Sequence, residues 1–201
     1  NFCEKIICYS KNINGLPKKF KKKIEISSPF IRRQYYEKKF KENKNEIFTI
    51  MIVGGSQGAQ IFDEIIHESI VKISKIKPLK IIHQTSQKKV NFFKKFYSEN
   101  NVENIVFNFD NNLDILISQS DLCITRAGAS SLAEIAILNV PFIAIPLPTS
   151  KDNHQFENAN YYRDKDCCWI INQKSFDTQK FQSLLLNILK NKDDLTKKKR
   201  T

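Results

Sequence analysis

The chain has 201 residues, 41% of them hydrophobic, with five glycines and six prolines. That suits one domain with an appendage, or one and a half small domains, and argues against a collagen-like, linker-rich or disordered chain. The formal net charge of +12 is spread through nearly every segment, and no nucleic-acid recognition module can be read, so nucleic acid is not an expected partner.

Five cysteines, an odd number without C-x-x-C spacing, argue against a disulfide framework or a zinc site and suit a reducing cytoplasm. No run approaches the roughly 20 apolar residues of a membrane span, and no signal-peptide pattern opens the chain. Two basic runs stand out, Lys18 to Lys23 (broken by Phe20) and Lys197 to Arg200. Clustered lysines gain about 1 kcal/mol each near an anionic bilayer, so such a surface is the expected partner for them.

The chain opens on Asn1 and runs almost at once into the strand-like Lys5 to Tyr9, which reads as a cut from something longer. A basic loop and the segment Ile24 to Arg32 follow; this piece lacks the apolar residues for a core of its own. From Ile47 the pattern changes. Ile47 to Val53 is a near-continuous apolar run, as a strand buried on both faces requires. Gly54-Gly55-Ser56-Gln57-Gly58 follows, then apolar residues at helical spacing from Ile61 to Ile73.

Further strands are expected at Leu79 to His83, Ile105 to Phe107, Leu122 to Thr125, Phe142 to Ile145 and Cys168 to Ile171. Helices are expected at Lys88 to Tyr97, Leu113 to Ser118, Ser130 to Leu138, Gln155 to Tyr162 and Phe181 to Leu189. Such alternation predicts an α/β fold: a parallel sheet with helices on both faces and ligands bound beyond the carboxyl ends of the strands.

Three loops at those ends carry chemistry. Gly54 to Ala59 joins a strand to a helix, where glycines let backbone approach a ligand and the helix N-terminus favours an anion. It matches neither G-x-G-x-x-G nor the Walker A loop. In Thr125-Arg126-Ala127-Gly128-Ala129-Ser130-Ser131-Leu132-Ala133-Glu134, Ser130 or Ser131 can cap the helix, and small residues leave room for a diphosphate. Glu134 is either a capping-box and dipole partner or an acceptor for a ribose diol. In Pro146 to Gln155, the side chains of Asp152, Asn153 and Gln155 can hydrogen-bond sugar hydroxyls. His154 reads as a surface or cap residue, and His67 and His83 as structural.

Taken in order, G-G-S-Q-G-A, R-A-G-A-S-S-L-A-E and P-L-P-T-S-K-D-N-H-Q-x-x-N-A resemble the MurG family. These peptidoglycan enzymes transfer N-acetylglucosamine from its UDP donor onto lipid-linked muramoyl-pentapeptide. The resemblance covers about residues 5 to 190. It implies the C-terminal, Rossmann-like half of a GT-B glycosyltransferase, with 1–32 as the remnant of an N-terminal acceptor domain plus linker and 33–201 as the UDP-sugar-binding domain. It places Gly55, Ser56 and Gln57 at the donor, with Ser56 on the diphosphate or uridine side. The backbone near Phe109 and Asp110 would face the uracil. Ala129, Ser130 and Ser131 would lie at the phosphates and Glu134 at the ribose. Gln155, with Asp152 and Asn153 nearby, would reach the sugar, and Arg32, or alternatively Arg33, would stand at the interdomain cleft.

The resemblance also has departures. P-F-I-R stands where P-V-R is usual, and Phe109-Asp110-Asn111-Asn112-Leu113 replaces the family's Phe-Ile-Glu/Asp-Asp-Met. The Gly-rich loop and histidine base of the family's first domain are not in this sequence, so the catalytic residue is unknown here. The expectation is donor binding without appreciable turnover by this polypeptide alone. The family inverts at the anomeric carbon; the three loops carry no D-x-D metal motif, and neither a metal nor another cofactor is expected, UDP-N-acetylglucosamine being a substrate. The expected place is the cytoplasmic face of the plasma membrane, beside the lipid-linked acceptor. Alternative readings are the donor-binding subunit of a split two-chain transferase and a non-catalytic nucleotide-sugar-binding domain.

Overall fold

The computed structural model describes residues 3–8, 16–36, 47–54 and 60–199. The first piece holds β1 (Ile6–Cys8), α1 (Lys18–Lys21) and β2 (Ile24–Ile26), with β1 and β2 paired in parallel. None of the residues in these three elements is buried, as expected of a segment without its own core. A short helix, α2 (Arg33–Tyr36), follows, and its Tyr35 is 1% exposed within the core of the main domain.

That domain is built on β3 (Phe48–Val53), β4 (Leu79–Gln84), β5 (Glu103–Phe107), β6 (Leu122–Thr125), β7 (Phe142–Ala144) and β8 (Cys168–Ile170). They form one parallel sheet in the order β5-β4-β3-β6-β7-β8. Between them come α3 (His67–Ser74), α4 (Val90–Glu99), α5 (Leu113–Ser118), α6 (Ala129–Ile137) and α7 (His154–Arg163); α8 (Thr178–Lys190) and α9 (Lys192–Lys198) end the chain.

Side-chain alternation divides the core in two. Ile50, Ile52, Ile81, Leu122 and Ile124 face Ile70, Phe93 and Leu185 of α3, α4 and α8. Met51, Val53, Ile82, Cys123 and Phe142 face Leu132 of α6, Ala159 of α7 and Ile117 of α5. Each fully buried Ile or Phe contributes about 2 kcal/mol of transfer free energy, which is why the central strands read as unbroken apolar runs. Asp121 secures the start of the two middle strands: its Oδ2 accepts from Thr49 N at 2.9 Å, and its own N–H donates to Thr49 O at 2.8 Å.

All six expected strands of the sheet form, and the boundaries move by one or two residues. Larger differences have local causes. The helix expected from Ile61 opens with a π-helical turn over Phe62–Ile66 before α3, and Asp63 within it bonds outward to Thr85 and Lys89. α6 is capped at Gly128, not at Ser130 or Ser131, so both serines lie inside the helix and Glu134 stands too deep for a capping box. The terminal lysine run is not simply a solvated tail. Lys197 and Lys198 belong to α9, with Asn191 accepting from Asp194 N at 3.1 Å, acids in the first turn and lysines in the last. Lys198 is 8% exposed, pairs with Asp166 and lies 4.7 Å from the Trp169 ring centroid.

Candidate functional site

Strand order reverses direction between β3 and β6: β4 and β5 are laid down on one side of β3, and β6 to β8 on the other. The loops leaving β3 and β6 at their carboxyl ends therefore diverge to opposite faces and leave a crevice between them. A cleft of ≈ 690 Å³ lies at that point. Gly54 from the first corner and Thr125, Arg126, Gly128 and Ser131 from the second share its lining.

The second corner is prepared for an anion. Gly128 is the N-cap of α6 and no side chain caps it; the first backbone bond of the helix runs from Leu132 N to Gly128 O at 3.0 Å. The amides of Ala129, Ser130 and Ser131 thus have no acceptor within the helix, at the end where its dipole is positive. Gly128 has φ −68°, an ordinary value, and a Cβ added there would meet Ser131 Oγ at 3.7 Å. Neither the backbone nor packing demands glycine at this point; what glycine provides is an open approach to the amides.

α7 holds this corner in place. Gln155 Oε1 accepts from Leu147 N at 2.9 Å and Ala127 N at 3.3 Å, and Asn158 Nδ2 donates to Ala127 O at 3.0 Å. Residues 155 and 158 lie on one helical face. Gln155 lines the cleft, but its carbonyl is engaged with the backbone of two loops, a role the sequence reading did not assign it. Arg126, also unassigned there, donates from Nη1 to Ile145 O at 3.0 Å and to Gln173 Oε1 at 2.5 Å. Its guanidinium carbon lies 5.5 Å from the Phe62 ring centroid, and burial lowers its pKa. Gln60, Glu64, Gln173 and Phe176 complete the walls. They come from two separate parts of the chain, so no local motif pointed to them.

One turn into α6, Glu134 is buried and forms a bidentate pair with Arg32. Arg32 Nε donates to Oε1 at 2.7 Å and Nη2 to Oε2 at 3.0 Å. Arg32 Nη2 also donates to the Tyr35 hydroxyl at 2.8 Å, which sets that hydroxyl beside Glu134. Burial, reinforced by the Glu134 charge, pushes the Tyr35 phenol far up, so it remains a donor. The hydrogen bond to Glu134 raises the Arg32 pKa. Arg33 is the first residue of α2.

The other expected positions are dispersed. Gly55, Ser56 and Gln57 lie outside the described residues, although Gly54 and Gln60 on either side line the cleft. Asp110 Oδ1 accepts from Asn112 N at 2.7 Å, a turn that leads into α5, while Phe109 beside it is 74% exposed. Asp152 and Asn153 are exposed, stand in left-handed conformation (φ 50° and 56°) ahead of α7, and are not part of the cleft lining. His83 is fully buried against Tyr97 and Asp63, and His67 packs on Phe93 and Phe96, which makes both structural.

Comparison with known proteins agrees with this architecture. The glycosyltransferase family 28 C-terminal domain matches residues 49–201. A UDP-N-acetylglucosamine--N-acetylmuramyl-(pentapeptide) pyrophosphoryl-undecaprenol N-acetylglucosamine transferase of Pelagibacter ubique (strain HTCC1062) is 42% identical over 200 residues, covering 100% of this chain and 56% of that protein. The identically named protein of Rickettsia felis (strain ATCC VR-1525 / URRWXCal2) is 32% identical over 202 residues, 95% of this chain and 56% of its own length. The chain therefore spans about half the length of these relatives. Among solved structures, MurG of Acinetobacter baumannii superposes with a TM-score of 0.67 at 28% identity, over 86% of this chain and 49% of that one. The glycosyltransferase of kitacinnamycin shares the fold, with a TM-score of 0.62 at 15% identity over 88% of this chain and 43% of that one. The chain belongs to glycosyltransferase family 28, as a C-terminal domain of the MurG kind.

Proposed function

We propose that this domain binds the UDP-N-acetylglucosamine of an inverting transferase whose acceptor is undecaprenyl-linked muramoyl-pentapeptide. The observation that carries the reading is the opening of two strand-to-helix corners onto one cleft, with the α6 amides that have no acceptor within the helix at one of them and Glu134 further along α6. The amides of Ala129, Ser130 and Ser131 hold the diphosphate, and Gly55, Ser56 and Gln57 contribute to donor binding, Ser56 on the diphosphate or uridine side. Glu134 accepts both hydroxyls of the ribose, the backbone at Asp110 meets the uracil, and Gln155 faces the sugar with Asp152 and Asn153 at the rim. The names of the relatives supply the donor and the acceptor.

In the transfer, charge develops on the departing UDP. Fixed amides and a helix dipole stabilise that charge without reorganisation, so the reading includes independence of a divalent metal. The base that activates the acceptor hydroxyl is not assigned to this chain. The lipid-linked acceptor places the work at the cytoplasmic face of a membrane, where the exposed lysines of α1 meet anionic headgroups. No helix among the described residues is long and apolar enough to cross a membrane.

Calorimetric titration tests the site. UDP-N-acetylglucosamine binds more tightly than UDP-glucose or GDP-mannose, EDTA leaves the affinity unchanged, and Glu134→Ala weakens it by about tenfold or more, as loss of a charged acceptor for two hydroxyls predicts. Equal binding of UDP- and GDP-sugars, or binding only with Mg²⁺ or Mn²⁺, would refute the reading.

A further inference from the structure

The carboxylate proposed for the ribose is already engaged. A ribose diol offers two adjacent O–H donors, and a carboxylate meets them with its two oxygens. Those are the atoms that Arg32 Nε and Nη2 occupy at 2.7 and 3.0 Å. The Glu134 side chain is only 9% exposed. Guanidinium and diol therefore compete for one edge of one carboxylate, and both cannot bind it bidentately.

The two partners differ in freedom. Glu134 is set on α6 inside the core, whereas the Arg32 side chain is 57% exposed. Arg32 stands just ahead of α2, and Tyr35, 1% exposed, anchors that turn: Tyr35 N donates to Arg32 O at 3.0 Å. The Tyr35 hydroxyl lies beside Glu134, so the carboxylate has a donor at hand when the arginine leaves. Arg32 is thus a long, solvated side chain on a fixed backbone, able to swing out without unfolding its segment.

We propose that Arg32 is a displaceable latch on Glu134, which nucleoside binding must open, and that Tyr35 is the positioning residue that holds the carboxylate in place meanwhile. The inference rests on the reading of Glu134 as the ribose acceptor. Its consequence is that the segment entering the domain reports whether the nucleoside site is filled, because the freed guanidinium belongs to that segment. A charge-assisted pair with one exposed partner is worth little, so the latch lowers affinity modestly and does not block the site.

The test uses uridine, which lacks phosphate and so reads the ribose contact alone, with 2′,3′-dideoxyuridine as the control. Arg32→Met binds uridine about fivefold more tightly than the wild type, the factor expected from releasing such a pair, and binds dideoxyuridine no more tightly. In the wild type, the Arg32 Nε–H resonance moves from a carboxylate-paired to a solvent-exposed position on saturation with uridine. Tyr35→Phe weakens uridine binding while leaving the folded spectrum intact. Equal or weaker uridine binding by Arg32→Met, or an Arg32 resonance that stays paired at saturation, would overturn the latch and leave the donor site standing. Absence of UDP and uridine binding from both proteins would sink the site reading and the latch together.

Discussion

Asp63 shows how much a single buried side chain can carry away from the cleft. Its carboxylate, 10% exposed, meets Thr85 Oγ1 at 3.0 and 3.1 Å, Lys89 Nζ at 3.1 Å and His83 Nε2 at 3.4 Å. Burial opposes its charge, but the contacts from His83, Lys89 and Thr85 outweigh burial and hold its pKa below the ordinary carboxylate value. A carboxyl with a depressed folded pKa adds stability above its unfolded pKa and loses it as pH falls through the folded one. Asp63→Asn is therefore expected to cost about 1–3 kcal/mol at pH 7, with the difference from wild type shrinking below about pH 4. Urea unfolding of both proteins from pH 7 to pH 3 checks this, and a penalty independent of pH would contradict it. Asp63 did not stand out in the sequence, since nothing local records that the π-helical turn sets its carboxylate against His83, Thr85 and Lys89.

At the scale of elements, α7 acts as a brace on the corner that α6 opens. Gln155 and Asn158 together satisfy the N–H and the C=O of Ala127, and Gln155 also satisfies Leu147 N. Removing either leaves part-buried backbone groups without their partner, at about 1–3 kcal/mol each. Gln155→Ala and Asn158→Ala are expected to destabilise singly by that amount and to combine less than additively, because both act on one residue. A double-mutant cycle by chemical denaturation measures the coupling, and strict additivity would show that the two do not share the corner. The motif was visible as H-Q-x-x-N-A, and it suggested a sugar-facing role for Gln155 without revealing its bonds to Ala127 and Leu147. Which donors the glutamine oxygen finds depends on loops 8 and 28 residues away in the chain. The N-terminal limit of α6 moved for a similar reason. Serine is the better cap in isolation, yet the chain leaves the sheet so that Gly128 takes the extended cap position.

For the molecule as a whole, charge is distributed in two ways. The lysines of α1 are exposed, while Lys198 of the terminal run is tucked against Trp169 and Asp166. The two basic runs, alike in sequence, should therefore differ in what they do at a surface. Replacing Lys18, Lys19, Lys21 and Lys22 by glutamine is expected to reduce association with vesicles containing anionic lipid by at least tenfold at low salt, given about 1 kcal/mol per lysine. The same change at Lys198 should leave vesicle binding unaltered and blue- or red-shift Trp169 emission. Sedimentation with vesicles at several ionic strengths reads the first effect, and an unchanged salt dependence would remove α1 from the membrane contact.

The order of strands and helices was legible because burial on both faces writes itself into composition: Ile47 to Val53 and Leu122 to Thr125 are apolar at every position but the threonines. The three glycine- and polar-rich loops were legible as well, since a turn that must expose its amides tolerates few residue types. What periodicity leaves open is which loops meet. The strand order that sets β6 beside β3, the pairing of Arg32 with a glutamate 102 positions later, and the docking of Lys198 on Trp169 all depend on contacts between distant segments. Local pattern records how much of each residue is hidden from water; only the closed chain decides which partner hides it.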